Sequence, residues 1–102
     1  MLIVDDLVST GGTLLRAAKA ARKAGAVRVI ALATHGLFVQ GAAEVVADPA
    51  IDRFVVTDAV SPFRLGLGLP SHKLDTIAVG PLLAEAIRRL HSGKSLKDML
   101  VF

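Results

Sequence analysis

The sequence predicts an α/β domain in which helices pack on a parallel β-sheet, and three observations lead to that prediction. Short β-branched runs alternate with longer segments of helical periodicity, which is typical of successive βαβ units. The chain has 102 residues, enough for one hydrophobic core and a single domain over residues 1–102. Hydrophobic residues make up 53% of it and aromatic residues only 4%, so we expect small side chains packed closely between helices and sheet.

The first half of the chain predicts two strands and the helix between them. A strand is expected over residues 2–4, then a glycine-containing turn and a helix over residues 13–24. Gly25 follows in the position where helices favour a left-handed residue. The second strand is expected over residues 27–33, and its apolar residues on both faces predict helices on each side of the sheet.

The second half predicts two further strands and three helices. In order, these are a short helix over 42–47, a strand over 54–57, a loop over 60–74, a strand over 76–79, and a helix with Pro81 in its first turn that Gly93 ends. Ser95 and Asp98 have the spacing of a capping box, so a last short helix is expected to begin there.

Composition and charge make several classes of protein improbable on physical grounds. The chain contains no cysteine, which removes disulfide scaffolds, thiolate metal sites and thiol nucleophiles and makes a reducing cytoplasm the simplest location. The longest apolar run, residues 29–33, falls far short of the roughly 20 residues that span a bilayer. The first residues lack the basic region of a signal peptide. We therefore expect no membrane partner and no secretion signal.

The net charge of +3 raises the question of nucleic-acid binding. Basic residues of the first helix recur on one side of it, which is typical of a solvated helix face. Aromatic residues that would stack on bases are not interleaved with them, so no nucleic-acid partner is expected. A modest positive field favours the capture of small phosphorylated anions instead. The residues concerned are Arg16, Lys19, Arg22 and Lys23.

The most informative stretch is residues 2–14, which read LIVDDLVSTGGTL. A buried strand would deliver Asp5 and Asp6 to its carboxyl end, where open α/β sheets bind ligands. The loop after it is rich in hydroxyls and opens a helix, and Gly11 and Gly12 would let a ligand approach the backbone N–H groups. This arrangement suits a phosphate, with carboxylates nearby for sugar hydroxyls. The alternative is an acidic strand end followed by an ordinary helix cap.

Residues 2–14 resemble, position by position, the 5-phosphoribosyl 1-diphosphate (PRPP) motif of type I phosphoribosyltransferases and ribose-phosphate pyrophosphokinases. Residues 33–38 (ATHGLF) and 80–91 are similar to the corresponding segments of ribose-phosphate pyrophosphokinase, or PRPP synthetase, which favours that branch. The resemblance implies a phosphoribosyltransferase-like, Rossmann-like fold of three layers, truncated at its N-terminus. It implies ribose hydroxyl binding by Asp5 and Asp6, and 5-phosphate binding by Ser9, Thr10, Gly11, Gly12 and Thr13.

Two positions within these segments leave alternatives open. Ser9 stands where many bacterial synthetases have aspartate, which leaves the subtype unsettled. His35 follows the second strand and is a candidate cleft residue, as a general acid or metal ligand, although a lone loop histidine is more often structural. No side chain is predicted to be catalytic, and no set of residues is predicted to hold a resident metal.

The family reaction, as the resemblance implies it, converts ATP and ribose 5-phosphate to AMP and PRPP with Mg²⁺. The chain begins at the ribose-phosphate strand, so we expect it to lack the ATP-binding half and to be inactive by itself, while it binds ribose 5-phosphate or PRPP. The alternatives are a regulatory or structural synthetase subunit and a small phosphoribosyltransferase. An apolar sheet edge or face would be left exposed, so we expect a homo-oligomer or a partner synthetase subunit.

Overall fold

A computed structural model of the chain describes residues 1–62, 65 and 72–100. These residues form a four-stranded parallel sheet in which the strands follow one another in sequence order. The prediction of an α/β domain with a parallel sheet is confirmed. The elements are β1 (Leu2–Val8), α1 (Gly12–Lys23), β2 (Ile30–Gly36), α2 (Ala42–Ala47), β3 (Arg53–Thr57), β4 (Leu74–Ile77), α3 (Gly80–His91) and a 3₁₀ turn at Lys97–Met99.

The predicted strands differ from the observed ones mainly in their ends, because pairing with the neighbouring strand decides where each one stops. β1 continues four residues past the expected end, since Leu7 and Val8 still pair with His35 and Gly36 of β2. β2 begins and ends three residues later than expected, and β4 begins and ends two residues earlier. The helices α1 and α2 lie within one residue of their expected positions. Much of the expected loop over 60–74 lies outside the described residues.

The hydrophobic core lies on one face of the sheet, which we call the covered face. Because parallel strands in sequence order are joined by right-handed crossovers, α1 and α2 fall on the same side. The described residues thus supply two of the three expected layers, and the helices expected on the other side of β2 are not among them. The buried side chains include Ala31, Ala33, Phe54 and Val56 from the sheet and Leu14, Ala18, Ala21, Ala42 and Val46 from the helices.

The opposite side of the sheet, which we call the open face, carries apolar side chains that none of the described helices covers. Val4 is 75% exposed, Leu2 63% and Ile77 56%. The register places Val4 beside Leu32 and Leu32 beside Val55, so these residues form one continuous row. A shallow groove of about 240 Å³ runs along this row. The open face therefore carries an apolar groove that the described helices leave uncovered, next to the ion pair of Arg53 and Asp75.

Helix α3 is also poorly packed, although its limits match the prediction closely. Pro81 lies in its first turn, and Gly93 follows with a left-handed φ of +71°. None of its residues is buried, and Ile87, on its apolar side, is 67% exposed. Arg89 pairs with Glu85 at 2.8 Å and also with Asp98, which ties α3 to the 3₁₀ turn.

The expected capping box is only half formed. Ser95 Oγ accepts a hydrogen bond from the Lys97 N–H at 3.0 Å, while the carboxylate of Asp98 is used by Arg89 instead. A 3₁₀ turn over Lys97–Met99 stands where a last short helix was expected. Competition from the guanidinium explains the difference, because it adds the attraction of a full positive charge to the hydrogen bond that Asp98 accepts.

Arg22 has a structural role that the pattern of basic residues concealed. Its guanidinium pairs with Asp52 at 2.6 Å and its Nε donates to the carbonyl of Ala50 at 3.1 Å. The N–H of Val29 donates to the same carboxylate at 2.6 Å. The Val29 N–H first, and then the Arg22 guanidinium, hold the pKa of Asp52 below its ordinary value. Arg22 therefore ties the end of α1 to the segment before β3 and does not belong to a purely solvated face.

Candidate functional site

A small cavity lies at the carboxyl end of β1, where the chain turns into α1. It has a volume of about 160 Å³ and is lined by Asp5, Leu7 and the continuous run 8–14. Gly11 is the N-cap of α1, with φ +83°, and it has no side chain to occupy the helix end. The first N–H groups of a helix have no intrahelical acceptor, and the helix dipole makes this end positive. The helix end of the cavity therefore favours an anion.

The hydrogen bonding of the loop leaves donors available to such an anion. The N–H of Gly12 lies 3.4 Å from Thr10 Oγ1, which is a long hydrogen bond. Within the described part of the chain, the N–H groups of Thr10, Gly11 and Thr13 donate to no protein acceptor. Arg16 reaches Thr13 Oγ1 at 3.4 Å from the next turn of α1. Backbone donors, hydroxyls and a guanidinium thus meet at one helix end.

Arg16 was assigned to the solvated helix face by its spacing, and its contact with Thr13 was missed. The signal that could have found it is the separation of three residues, which places the two side chains next to each other on a helix. A guanidinium is well suited to phosphate oxygens, because its donors form a planar fork. Its position adds one positive charge beside the cavity.

The two glycines of the loop are required for different reasons. A Cβ on Gly11 would lie 2.8 Å from Val45 Cγ1 of α2, and the backbone there has a positive φ, so packing and backbone conformation together explain this glycine without a ligand. A Cβ on Gly12 would meet nothing closer than Thr10 Oγ1, at 3.6 Å. Packing among the described residues therefore does not explain Gly12. Its missing side chain leaves space at the helix N-terminus for a ligand.

The paired acidic residues are separated by the strand that carries them. Asp5 and Asp6 lie within β1 and do not follow it, so their side chains point to opposite sides of the sheet. Asp5 lines both the loop cavity and the groove of the open face, whereas Asp6 lines neither. Asp5 Oδ1 also accepts the N–H of Asp6 at 2.8 Å. The structure therefore brings Asp5 together with Ser9, Thr10, Gly11, Gly12 and Thr13.

His35 lies outside this cavity lining. It is exposed near the carboxyl end of β2, where its Cα pairs with that of Leu7. Among the described residues, no group of three His, Cys, Asp or Glu side chains could hold a metal ion. The general-acid, metal-ligand and structural interpretations of His35 all remain predictions.

The segment 33–38 has a packing role that the sequence pattern did not show. Phe38 is buried with a positive φ of +48°, and its ring packs edge-to-face on Phe54 with 6.2 Å between ring centroids. A Cβ on Gly36 would collide with the ring of Phe38. Packing against Phe38 therefore requires glycine at position 36, independently of any role of His35.

These features define the class of protein. A parallel α/β sheet whose first strand leads through a glycine-containing loop into a helix is an α/β domain with a candidate anion site at the carboxyl end of a strand. The family model for the phosphoribosyl synthetase-associated domain matches residues 1–101. The chain belongs to this family, and the resemblance seen in its motifs is confirmed.

Relatives and a solved structure agree with this assignment. The chain is 40% identical over 98 residues to the ribose-phosphate pyrophosphokinase of Vibrio parahaemolyticus, a match that covers 96% of this chain and 31% of that protein. It is 42% identical over 98 residues to the enzyme of Haemophilus ducreyi, covering 96% and 30%. The structure of phosphoribosylpyrophosphate synthetase from Mycobacterium smegmatis matches with a TM-score of 0.80 and 32% identity, covering 90% of this chain and 30% of that one. The chain thus spans about a third of the length of these relatives.

No helix in the described ranges combines the length and the apolar composition needed to cross a membrane.

Proposed function

We propose that this chain forms the ribose 5-phosphate-binding part of a ribose-phosphate pyrophosphokinase, the family that produces PRPP and AMP from ribose 5-phosphate and ATP. The observation that carries the proposal is the loop between β1 and α1. Among the described residues, the N–H groups of Thr10, Gly11 and Thr13 have no protein acceptor, Gly12 leaves open space that packing does not require, and Asp5 lies beside the loop. Ribose 5-phosphate or PRPP would place a phosphate in the loop and its ribose toward β1.

Each residue has a defined role in this proposal. The N–H groups of residues 10–13 and the hydroxyls of Ser9, Thr10 and Thr13 hold the 5-phosphate, which the helix dipole and Arg16 help to neutralise. Asp5, which lines the loop cavity, accepts hydrogen bonds from the ribose hydroxyls. Asp6 points to the opposite side of the sheet and does not line this cavity, so its contribution is the smaller of the two.

The residues of this site fit a Mg²⁺ ion that binds together with the substrate. Carboxylate oxygens are ligands that Mg²⁺ accepts, and it commonly takes one or two carboxylates together with substrate oxygens. Asp5, which lines the cavity, would supply such a carboxylate. When bound, the ion offsets the negative charge that develops on a transferred pyrophosphoryl group.

The proposal assigns substrate binding, and not the complete reaction, to this chain. The matched relatives are roughly three times as long, and no described side chain is given a catalytic role. A regulatory or structural subunit is the second candidate function, favoured by the apolar open face. The absence of cysteine and of a long apolar helix in the described residues is compatible with the cytoplasmic location that we propose.

Isothermal titration calorimetry with ribose 5-phosphate and Mg²⁺ tests the binding. We expect saturable binding that Gly12→Ala weakens at least tenfold and that Asp6→Ala reduces less. Gly80→Ala is the matched control, because Gly80 also begins a helix and a Cβ there would meet nothing within 4 Å. Absence of binding at millimolar ligand, or equal binding by Gly12→Ala and Gly80→Ala, would remove the proposal.

A coupled assay for AMP release from ATP and ribose 5-phosphate tests whether this chain catalyses the reaction or only binds the substrate. We expect no AMP release above background from this chain alone at saturating substrates. Turnover that depends on this chain would show that it carries the whole reaction and would contradict the assignment of binding alone.

A further inference from the structure

We propose that Phe38 is a positioning residue for the loop of residues 9–13. The turn at the end of β2, residues 36–39, holds this loop through main-chain hydrogen bonds, and the buried ring of Phe38 holds the turn, which we call the β2 turn. The inference rests on the proposed function for the identity of the ligand. The effect of Phe38 on the loop itself can be measured without any ligand.

Main-chain hydrogen bonds join the β2 turn to the residues that open the loop. The pairing of β1 with β2 ends at Val8. Beyond that point, the N–H groups of Leu37 and Phe38 donate to the carbonyl of Val8 at 2.9 and 3.2 Å. The N–H of Val39 donates to the carbonyl of Ser9 at 3.1 Å. The β2 turn therefore continues the contact between the two strands into the first residue of the loop.

The hydrogen bond to Ser9 also fixes the direction of a proposed phosphate donor. The carbonyl of Ser9 and the N–H of Thr10 belong to one planar peptide group, and in a trans peptide they point in opposite directions. With the carbonyl held toward Val39, the N–H of Thr10 points away from the β2 turn, and it donates to no acceptor in the described ranges. Among the described residues outside α1, Val39 alone donates a main-chain hydrogen bond to the loop.

The backbone conformation of the β2 turn depends on a side chain. Phe38 has a φ of +48°, which residues with a Cβ rarely adopt, and within the described part of the chain it is the one non-glycine residue with a positive φ. Its ring is almost completely buried, between Gly36 and the ring of Phe54. Burial of the ring thus keeps the backbone in a conformation that is unfavourable by itself. The turn that orients the Thr10 N–H is held from the core.

The β2 turn also directs α2 against the loop. The carbonyl of Val39 accepts the N–H of Ala42, the first residue of α2, at 2.9 Å. Val45, one turn further along α2, lies so close to Gly11 that a Cβ there would be 2.8 Å from Val45 Cγ1. The loop is therefore supported at two points, the carbonyl of Ser9 and Gly11, and both depend on how the chain leaves β2.

Two substitutions at position 38 separate positioning from core packing. Phe38→Ala and Phe38→Gly both remove the ring, but glycine adopts a left-handed φ readily. By titration calorimetry with ribose 5-phosphate and Mg²⁺, we expect Phe38→Ala to bind at least tenfold more weakly than the unsubstituted chain. We expect Phe38→Gly to bind at least threefold more tightly than Phe38→Ala. If the ring only filled the core, glycine would bind no better than alanine, and that result would overturn the proposal.

Two milder variants provide a test without ligand. Phe38→Leu and Phe54→Leu each replace one ring of the same pair, but only Phe38 belongs to the β2 turn. We expect Phe38→Leu to accelerate amide hydrogen exchange of Val39 at least tenfold relative to that of Ala33, a buried residue of β2. Phe54→Leu is expected to leave this ratio unchanged. Equal effects of the two variants, or no effect of Phe38→Leu, would contradict the positioning role.

The two measurements also separate this proposal from the proposed function. Circular dichroism shows whether each of the four variants keeps the fold, and the leucine variants decide the question if the smaller residues prevent folding. Absence of ribose 5-phosphate binding by the unsubstituted chain would remove the proposed function. The exchange ratio of Val39 to Ala33 would still show whether Phe38 holds the loop.

Discussion

Both faces of the β-sheet carry apolar side chains, but the described helices cover only one of them. On the covered face, Phe54 and Val56 are almost completely buried beneath α1 and α2. On the open face, Val4 and Ile77 are more than half exposed, although the same strands carry them. The difference arises because the crossovers between sequential parallel strands fall on one side. The topology of the chain thus decides which face of the sheet is buried. An apolar strand pattern predicts burial, but it does not show which element covers the face.

The same comparison explains why the candidate site lies at a boundary. The loop of residues 9–13 rests on the covered side through Gly11 and Val45, while Asp5 also lines the groove of the open face. The proposed phosphate site is therefore supported by the chain's own packing.

The largest predicted effect comes from truncation on the covered face. Phe54→Ala removes a fully buried ring that contacts Phe38, so we expect a loss of about 3–5 kcal/mol in the free energy of unfolding. Val4→Ala on the open face should change it by less than about 0.5 kcal/mol. Urea denaturation measures both. Equal losses would mean that the open face is covered in solution.

Gly36→Ala is expected to have the next largest effect. The added methyl group collides with the ring of Phe38, which sits in the core, and such overpacking costs about 1–3 kcal/mol. Gly80→Ala is the comparison, since a Cβ there meets nothing within 4 Å. The same denaturation experiment applies. An unchanged midpoint for Gly36→Ala would show that Phe38 does not occupy this position.

A smaller effect is expected from pH, through the ion pair on the covered side. The folded pKa of Asp52 lies below its ordinary value of 3.8, so its stabilising contribution is complete above that value and is lost as the pH falls through the folded pKa. Asp52→Asn should therefore flatten the stability profile below about pH 5. Denaturation midpoints across that range measure it. Parallel profiles for the two proteins would contradict the role of Asp52.

The smallest effect is expected from the ion pairs of α3, which are exposed. Arg88 and Arg89 lower the pKa of Glu85 from 4.5 to about 2, so the pairing persists at pH 7 and weakens only as the pH falls below 4.5. Glu85→Gln should increase amide exchange in α3 without shifting the global midpoint, because exposed pairs contribute little. Hydrogen exchange measures this change. A lowered global midpoint would mean that α3 packs on the core.

Much of the fold followed from the sequence because its local signals are strong. Pro81 and Gly93 bracket α3, Gly25 ends α1 with a left-handed φ, and the loop of residues 9–13 opens a helix as predicted. Strand ends were less accurate, since β1 extends to Val8 only because β2 continues to pair with it. The apolar residues of β2 predicted cover on both faces, and no local signal distinguishes cover by the same chain from cover by a partner.

The candidate site was predictable in its loop and less so in its carboxylates. The glycines and hydroxyls of residues 9–13 are contiguous, so their grouping around one helix end follows from the sequence. The separation of Asp5 from Asp6 was missed, because it depends on whether the strand ends before or after them. The contacts of Arg16 and Arg22 were missed for a similar reason, since a basic helix pattern does not show which members find partners across the fold.

The central claim is that the loop of residues 9–13 binds the phosphate of ribose 5-phosphate. A titration of the ¹⁵N-labelled chain with ribose 5-phosphate and Mg²⁺, followed by amide NMR, tests it most directly. We predict saturable shifts of the amide resonances of Thr10, Gly11, Gly12 and Thr13, with small changes at Gly80 and Gly93. Unchanged loop resonances at millimolar ligand, or shifts confined to another part of the chain, would contradict the account.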